Sequence, residues 1–210
     1  MPNRVGIVGV GCEGFRPVVS DLSTREMMYE AATKAYADAS IEPRRDVGSF
    51  ICCTEDLWEG WSIADEMVPD QIGGAGRPVC TIAGDAITGL GNAVMHILAG
   101  VADVVTLEAH SKAADVIDKE LVERMAQEPS LIRPIGAGTD ALAALEMDGF
   151  MRSGRYSREV LDDLLVRIKG QAMRNPRASF GARLSKTDLE GSEVLSSPLR
   201  RIDRAPFADA

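Results

Sequence analysis

The sequence predicts an α/β fold, in which a mixed and mostly parallel sheet lies between helices and one helical excursion leaves it. Strand-like and helix-like segments alternate along the 210 residues, which is typical of βαβ units. The strand-like runs are short and continuously apolar, as in strands covered on both faces. Glycine, with 20 residues, and alanine are plentiful, which favours close packing of helices on a sheet. We expect one domain over residues 1–210, with the excursion at about 111–155.

The N-terminal segment predicts one strand and one helix. Residues 5–10, VGIVGV, form a β-branched run of the kind found in buried strands. After a loop, Ser23 and Glu26 form a capping box, in which each side chain accepts a free backbone N–H at the start of a helix. Pro43 closes this unit. Apolar residues follow the capping box at helical spacing: Met28, Ala31, Ala32, Ala35 and Ala39.

Two further strands are predicted at residues 47–54, VGSFICCT, and residues 78–82, PVCTI. The connection between them, residues 55–77, is long enough to indicate function or contact with a partner. Trp58 and Trp61 in this connection fit a lid or a partner contact, and they fit simple loop packing equally well.

A central helix is predicted from about Asp85 to Leu98. Asp85 is its expected N-cap, because aspartate readily accepts a free N–H at a helix start. Gly100 ends the helix, and residues 102–110, ADVVTLEAH, form the next strand. We expect the helix to place one apolar face inward, comprising Ile87, Leu90, Val94, Ile97 and Leu98.

The second half of the sequence is predominantly helical. Residues 111–134 are polar and weakly patterned, and a helix follows from Thr139 to about Gly154. Ser157 is the expected cap of another helix, which Pro176 stops, and a short helical segment and an extended stretch come after it. We expect the helix after Ser157 to place these residues inward: Val160, Leu161, Leu164, Leu165 and Ile168.

Composition excludes several classes of function. The net charge of −9, from 23 basic and 32 acidic residues, disfavours nucleic acid as a partner, because phosphate binding needs clustered Lys and Arg. No apolar run approaches the roughly 18 residues of a membrane span, and no signal peptide is evident. A cytoplasmic location with reduced, packed thiols is expected, and no CxxC or histidine spacing indicates a metal site; the cysteines are Cys12, Cys52, Cys53 and Cys80.

Gly9, Gly11 and Gly14 form a GxGxxG pattern after the first predicted strand. In a dinucleotide site the helix opens within these glycines, so that its N-terminus meets the pyrophosphate. Here the capping box places the helix start about ten residues later. The pattern therefore favours a glycine-rich crossing between strand and helix rather than an NAD site.

The two histidines are candidates of different kinds. His110 follows the fourth predicted strand, next to Ser111, but adjacent serine and histidine side chains at a strand end point apart and do not form a triad. His110 is therefore a candidate catalytic group or a satisfied loop histidine. His96 is expected on the helix face away from Leu90 and Ile97, at a surface or interface.

Five collinear segments resemble the N-terminal half of the thiolase superfamily, most closely its sterol-carrier-protein-type and archaeal branch. They are VGIVGVG, EAATKAYADASIEPRRDVGSFI, DAITGLGNAVMHILAGVADVV, RSGRYSREVLDDLLVRIKGQAMRNPRASFG and SSPLRRIDRAPFADA. Together they cover most of the chain. The resemblance implies a thiolase-like half fold, and it implies that the homologous C-terminal half is absent from this sequence.

The resemblance places Ala86 where the family has its nucleophilic cysteine. The family turn is approximately Asn-Cys-Ala/Ser-Thr/Ser-Gly, and it aligns on Thr88 and Gly89. A thiolate at a helix N-terminus gains from about half a positive charge, which lowers its pKa from about 8.5 so that it can accept an acyl group from a CoA thioester. A methyl group cannot do this. A histidine that the branch often carries near the Asn-Pro helix end falls on Gln171.

The resemblance implies a subunit of an acyl-CoA C–C bond-cleaving or -forming complex, of retro-aldol or Claisen type, without the nucleophilic cysteine. Ala86, Thr88 and Gly89 are the implied substrate-binding residues, and Asp85 and His110 are catalytic candidates. Coenzyme A enters only as part of the substrate, and neither cofactor nor metal is expected. One alternative is a non-catalytic structural subunit paired with an active thiolase homologue, and another is a conventional thiolase that uses a different cysteine.

The absent second half supplies further catalytic loops in the family, so the chain is expected to be a split subunit or a truncated piece. Expected partners are a second copy, a second thiolase-like chain, or a small protein with an OB-fold and a zinc ribbon, as in related CoA-ester aldolases. The strand at residues 78–82 would lie near the two-fold axis of a dimer.

Overall fold

The computed structural model describes residues 4–54, 63–116 and 118–210. The chain forms two compact units, of which unit 1 comprises Met1–Val116 with Ala208–Ala210 and unit 2 comprises Ile117–Phe207. Most of the expected excursion at 111–155 belongs to unit 2. The expectation of a single domain over the whole chain stays a prediction. Trp58 and Trp61 lie outside the described residues.

Unit 1 is built on a parallel sheet of three strands, β1 (Ser49–Cys53), β2 (Val79–Ile82) and β3 (Val105–Ala109). The strand order is β2-β1-β3, and Ile51 in the centre pairs with Cys80 on one side and Leu107 on the other. All five residues of β1 are buried, as a strand covered on both faces requires. The predicted α/β fold class is confirmed.

Helices cover both faces of this sheet. On one face, Met28 and Ala32 of helix α1 (Thr24–Ala39) pack with Phe50 and Cys52 of β1. On the other, Ala93 of helix α4 (Ala86–Leu98) packs with the opposite side of the same strand. The helices of unit 1 are α1 (Thr24–Ala39), α2 (Pro43–Asp46), α3 (Ala64–Met67) and α4 (Ala86–Leu98).

The predicted capping box at the start of α1 is confirmed. The backbone N–H of Ser23 donates to Glu26 Oε2 at 2.8 Å, and the N–H of Glu26 donates to Ser23 Oγ at 3.3 Å. Two backbone donors that no helical carbonyl can reach are thereby satisfied. The helix ends at Ser40, which adopts the left-handed conformation.

The inward face predicted for α4 is partly wrong. Gly89 and Ala93 are its buried residues, whereas Ile87 is 74% exposed and Leu98 is 52% exposed. A Cβ on Gly89 would overlap Cys53 Sγ and lie 2.5 Å from Leu107 Cδ1. The small residues therefore face the sheet and let the helix approach it closely, which turns part of the larger apolar face outward.

The predicted strand at residues 5–10 is also wrong. This segment has no strand partner, and Ile7, Val8 and Val10 are 70%, 67% and 67% exposed. A β-branched run becomes a strand only when the backbone of a neighbouring strand pairs with it, and no described strand does so here. The N–H of Val10 donates instead to the side chain of Asp38 at 3.0 Å. A Cβ on Gly9 or Gly11 would overlap the backbone of α1, so these glycines serve helix packing.

The described residues of unit 2, 118–207, form four α-helices and a two-stranded antiparallel sheet. The helices are α5 (Lys119–Ala126), α6 (Thr139–Arg152), α7 (Arg158–Ala172) and α8 (Lys186–Glu190), and the strands are β4 (Val194–Ser196) and β5 (Leu199–Arg200). Ser157 is the N-cap residue of α7, as predicted, although its side chain makes no capping hydrogen bond. The inward face predicted for α7 is largely wrong, because Val160, Leu164 and Ile168 are 39–50% exposed.

An ion network fixes the last segment of unit 2 to α7. Arg158 donates to Asp162 at 2.9 Å and to Asp203 at 2.6 Å, and Arg200 donates to the same two carboxylates at 2.6 and 3.1 Å. These side chains are 12–24% exposed, so water screens the pairs less than it screens ion pairs at the surface. Beside the network, Met147, Phe150, Leu164 and other apolar side chains line a groove of about 430 Å³ between α6 and α7.

Candidate functional site

The candidate site lies at the carboxyl edge of the parallel sheet of unit 1. β1, β2 and β3 run in the same direction, so their C-terminal ends meet at one edge. Only residues 83–85 separate the end of β2 from the start of α4, which places the N-terminus of that helix at the same edge. In open α/β sheets, ligands bind at this edge, where helix N-termini present free N–H groups.

A capped turn forms the start of α4. Gly84 has φ +149°, a conformation that side chains rarely adopt, and Asp85 is the extended N-cap, as predicted. Asp85 Oδ1 accepts the backbone N–H of Thr88 at 2.9 Å and its hydroxyl at 3.1 Å. These bonds, the backbone one foremost, hold the pKa of Asp85 below its usual value. Asp85 is therefore a carboxylate that fixes the first turn.

The predicted substrate-binding residues divide into two groups. Ala86, the first residue of α4, and Thr88 are exposed at the helix tip, whereas Gly89 is buried against the sheet. The turn thus presents the methyl group of Ala86 to solvent, whereas the backbone N–H and the hydroxyl of Thr88 are both bonded to Asp85. Gly89 contributes by letting the tip lie close to the sheet.

No cysteine side chain belongs to the first turn of α4. Cys52 is fully buried on the α1 side of the sheet, and Cys80 packs in the apolar cluster on the α4 side. Cys53 is 2% exposed beneath Gly89, and burial, with a smaller effect of Glu108, raises the pKa of its thiol. A buried thiol of raised pKa is a poor nucleophile.

His110 is paired with a carboxylate that the sequence analysis did not single out. His110 Nδ1 lies 2.8 Å from Glu108 Oε1, and the two side chains are 4% and 9% exposed. Glu108 is in register with Cys52, which belongs to the cluster on the α1 side. The i, i+2 spacing along a strand, which places both side chains on one face, could have indicated this pair.

His96 is not a surface residue of the kind expected. Its Nδ1 lies 3.1 Å from Ser49 Oγ at the opposite, amino-terminal end of β1, so the side chain faces the sheet. The backbone N–H and C=O of Ser111 pair with Ala210 at 2.9 Å each. The structure therefore brings Asp85, Ala86 and Thr88 together and places His96 at the other end of the sheet.

Among residues 4–54, 63–116 and 118–210, no three His, Cys, Asp or Glu side chains are grouped so that they could hold a metal ion. Within the same ranges, every helix is too short or too polar to cross a membrane.

Comparison with solved structures decides the fold. An aldolase described as Ltp2-ChsH2(DUF35) superposes with a TM-score of 0.75 at 24% identity, over 97% of this chain and 52% of that one. This is a thiolase-like fold. The resemblance predicted from the sequence is confirmed.

Curated relatives agree with the thiolase-like fold. The acetyl-CoA acetyltransferase of Methanothermobacter thermautotrophicus is 24% identical over 98% of this chain and 54% of the relative. That of Methanocaldococcus jannaschii is 23% identical over 98% of this chain and 53% of the relative. The thiolase-like chain thus spans about half the length of the curated relatives that it matches. No family model matches it.

Proposed function

We propose that this chain is a thiolase-like subunit of a complex that cleaves or forms a C–C bond in an acyl-CoA, by retro-aldol or Claisen chemistry, without a nucleophilic cysteine of its own. The single observation that carries the proposal is the start of α4, where an ordered, capped turn presents Ala86 at the carboxyl edge of the sheet. The acetyl-CoA acetyltransferase relatives and the aldolase with the same fold support the substrate class.

The chemistry available at this turn is electrostatic rather than covalent. N–H groups in the first turn of a helix lack helical partners, and the helix dipole adds a partial positive charge. Asp85 takes the N–H of Thr88, so we assign an N–H that precedes Thr88 in the turn to the oxygen of a thioester or of an enolate, whose negative charge develops during C–C cleavage. Retro-aldol cleavage then needs a proton acceptor but no acyl-enzyme. Asp85 and His110 are the candidates in this chain.

A complementing polypeptide supplies the remaining groups in this proposal. The chain spans about half of each relative, and the similar aldolase bears a name that couples two components, Ltp2 and ChsH2(DUF35). The partner is a thiolase-like second half, with or without a small OB-fold and zinc-ribbon protein, and a second copy of this chain is compatible with the assembly.

The substitution Ala86→Cys tests whether the turn still holds an acyl-CoA. A thiol at this helix start should have a lowered pKa and should accept an acetyl group from acetyl-CoA, which intact-mass spectrometry detects. The matched control is Ile87→Cys, one residue later and 74% exposed, which should stay unmodified. Equal acetylation of both cysteines, or of neither, would contradict a retained thioester site.

A structural subunit paired with an active thiolase homologue is the second candidate. It is favoured by the methyl group of Ala86, which offers no nucleophile, and by the position of His96 at the amino-terminal end of β1, away from the turn. Calorimetric titration of the assembled complex with acetyl-CoA separates the two functions. Loss of binding on Ala86→Trp supports a substrate site in this chain, whereas unchanged binding assigns the chain to assembly alone.

A further inference from the structure

Helix α7 carries an apolar row, here called the α7 ridge, that consists of Val160, Leu164 and Ile168. These residues recur every fourth position, so they are neighbours on the helix surface. They are 49%, 39% and 50% exposed, and Leu164 and Ile168 also border the groove between α6 and α7. Single exposed apolar side chains are ordinary, but a continuous apolar row beside an apolar groove indicates a contact surface.

Ion pairs anchor α7 on the side opposite the ridge. Arg158 pairs with Asp203 at 2.6 Å, and Asp162 pairs with Arg200 at 2.6 Å. These four side chains hold the helix against the last segment of unit 2. A partner therefore meets a ridge that is already ordered, so association costs little conformational entropy at this surface.

A row of exposed charges accompanies the α7 ridge. Asp163 and Arg167 each precede a ridge residue by one position, and both are exposed. They are four residues apart, where an intrahelical pair can form, yet neither makes an ion pair within the part of the chain that the structure describes. On α6, Asp148 and Arg152 have the same residue types and spacing and do pair, at 2.7 Å. The charges beside the ridge are thus available to another chain.

The order of these charges makes the surface complementary to itself. Glu159 and Asp163 lie in the N-terminal half of α7, Arg167 lies in the C-terminal half, and Arg174 follows just beyond the helix end. A second copy of α7 in parallel orientation would set like charges opposite one another. An antiparallel copy sets each acid beside a base, as a two-fold contact of one surface with itself requires.

The antiparallel orientation also determines a register. When Leu164 of one copy faces Ile168 of the second copy, the same contact occurs twice by symmetry and the two ridges cover each other. With a rise of 1.5 Å per residue, Asp163 then lies within about 3 Å, measured along the helix axis, of the second copy's Arg167. The apolar contact and the charge pairs therefore favour one and the same alignment.

We propose that two copies of this chain associate through α7, packed antiparallel about a two-fold axis, with the α7 ridges in contact and two Asp163–Arg167 pairs between the copies. The contact involves unit 2 alone, whereas the two-fold axis expected from the resemblance lies near residues 78–82 of unit 1. It goes beyond the proposed function and does not depend on acyl-CoA. Because the contact is small, we expect a dissociation constant of about 1–100 μM.

Sedimentation equilibrium of the full chain, at concentrations from below to above this range, tests the contact by charge reversal. Asp163→Arg sets arginines opposite arginines, and Arg167→Asp sets acids opposite acids. Each variant alone should therefore weaken this association step at least about tenfold. An equimolar mixture of the two should associate again, because one copy then carries only bases and the other only acids at these positions.

The matched control is Asp148→Arg, the same substitution in a pair of the same type on α6, outside the lining of the groove. It should associate like the parent chain. Recovery in the mixture also shows that both α7 variants are folded. Single variants that associate like the parent chain, a mixture that stays dissociated, or a parent chain without the association step overturns the α7 contact. Loss of binding to a complementing polypeptide, with self-association unchanged, assigns the ridge to that polypeptide and overturns it as well.

Discussion

Replacing Asp209 with alanine should destabilise unit 1 by about 3–5 kcal/mol. The Asp209 carboxylate is fully buried and accepts the backbone N–H of Val19 at 2.7 Å and of Ala114 at 2.9 Å. Each hydrogen bond to a charged acceptor contributes about 1.5–3 kcal/mol, and its loss leaves a buried N–H without a partner. Two such bonds give about 3–6 kcal/mol, and we expect the lower part of that range because single substitutions rarely cost more than about 5 kcal/mol.

Urea-induced unfolding followed by circular dichroism measures this loss. Asp209→Asn should cost about 2 kcal/mol, because the amide oxygen replaces one acceptor while the NH₂ group faces the other N–H. Asp21→Asn is the control, since that carboxylate is 62% exposed in an ion pair with Arg16, and its loss should leave the free energy of unfolding close to that of the parent chain. An alanine variant within about 1 kcal/mol of the parent chain would refute the assigned role of Asp209.

Two predictions concern α4. Gly89→Ala should destabilise unit 1 by about 1–3 kcal/mol, because the new Cβ overlaps Cys53 Sγ. Gly91→Ala has open space around its new Cβ and should stabilise unit 1 by about 0.5–1 kcal/mol. Urea unfolding measures both changes, and equal effects would refute the close packing of α4 on the sheet. Because the pKa of Asp85 is lowered, its capping contribution is present above about pH 4 and is lost as the pH falls through the lowered pKa. Asp85→Asn should therefore lose less unfolding free energy than the parent chain between about pH 7 and pH 2, and an identical acid loss would contradict the cap.

Local interactions were predictable from the sequence. The capping box of Ser23 and Glu26 and the N-cap Asp85 each depend on residues three positions apart, so a short pattern determines them. The three strands of the parallel sheet also lie within the segments predicted for them, because buried parallel strands are apolar throughout. The turn before α4 follows from this same alternation of strands and helices, whereas Ala86 within it was singled out only through the resemblance to the thiolase superfamily.

Interactions between distant segments were not predictable in this way. Residues 5–10 have strand composition but lack a neighbour, and composition does not reveal which neighbour is present. Helix α4 faces the sheet with Gly89 and Ala93 rather than with its larger apolar side chains, because small residues let the helix pack closer to the sheet. Glu108 was missed as the partner of His110, and Asp209 lies 190 residues from its partner Val19, a separation that no local pattern encodes.

Unit 2 is an insertion in the sequence of unit 1, because unit 1 comprises residues from both sides of it. Asp209, which follows the insertion, pairs with Lys112 and Ala114, which precede it. The chain leaves unit 1 at Val116 and re-enters it at Ala208, and the residues next to these two junctions are held together by the Asp209 carboxylate. An inserted segment whose two ends lie close together can change in length and sequence without altering the strand order of the unit that carries it. Evolution, or an engineer, can thus exchange the whole insertion as one module while the capped turn at Ala86 keeps its scaffold.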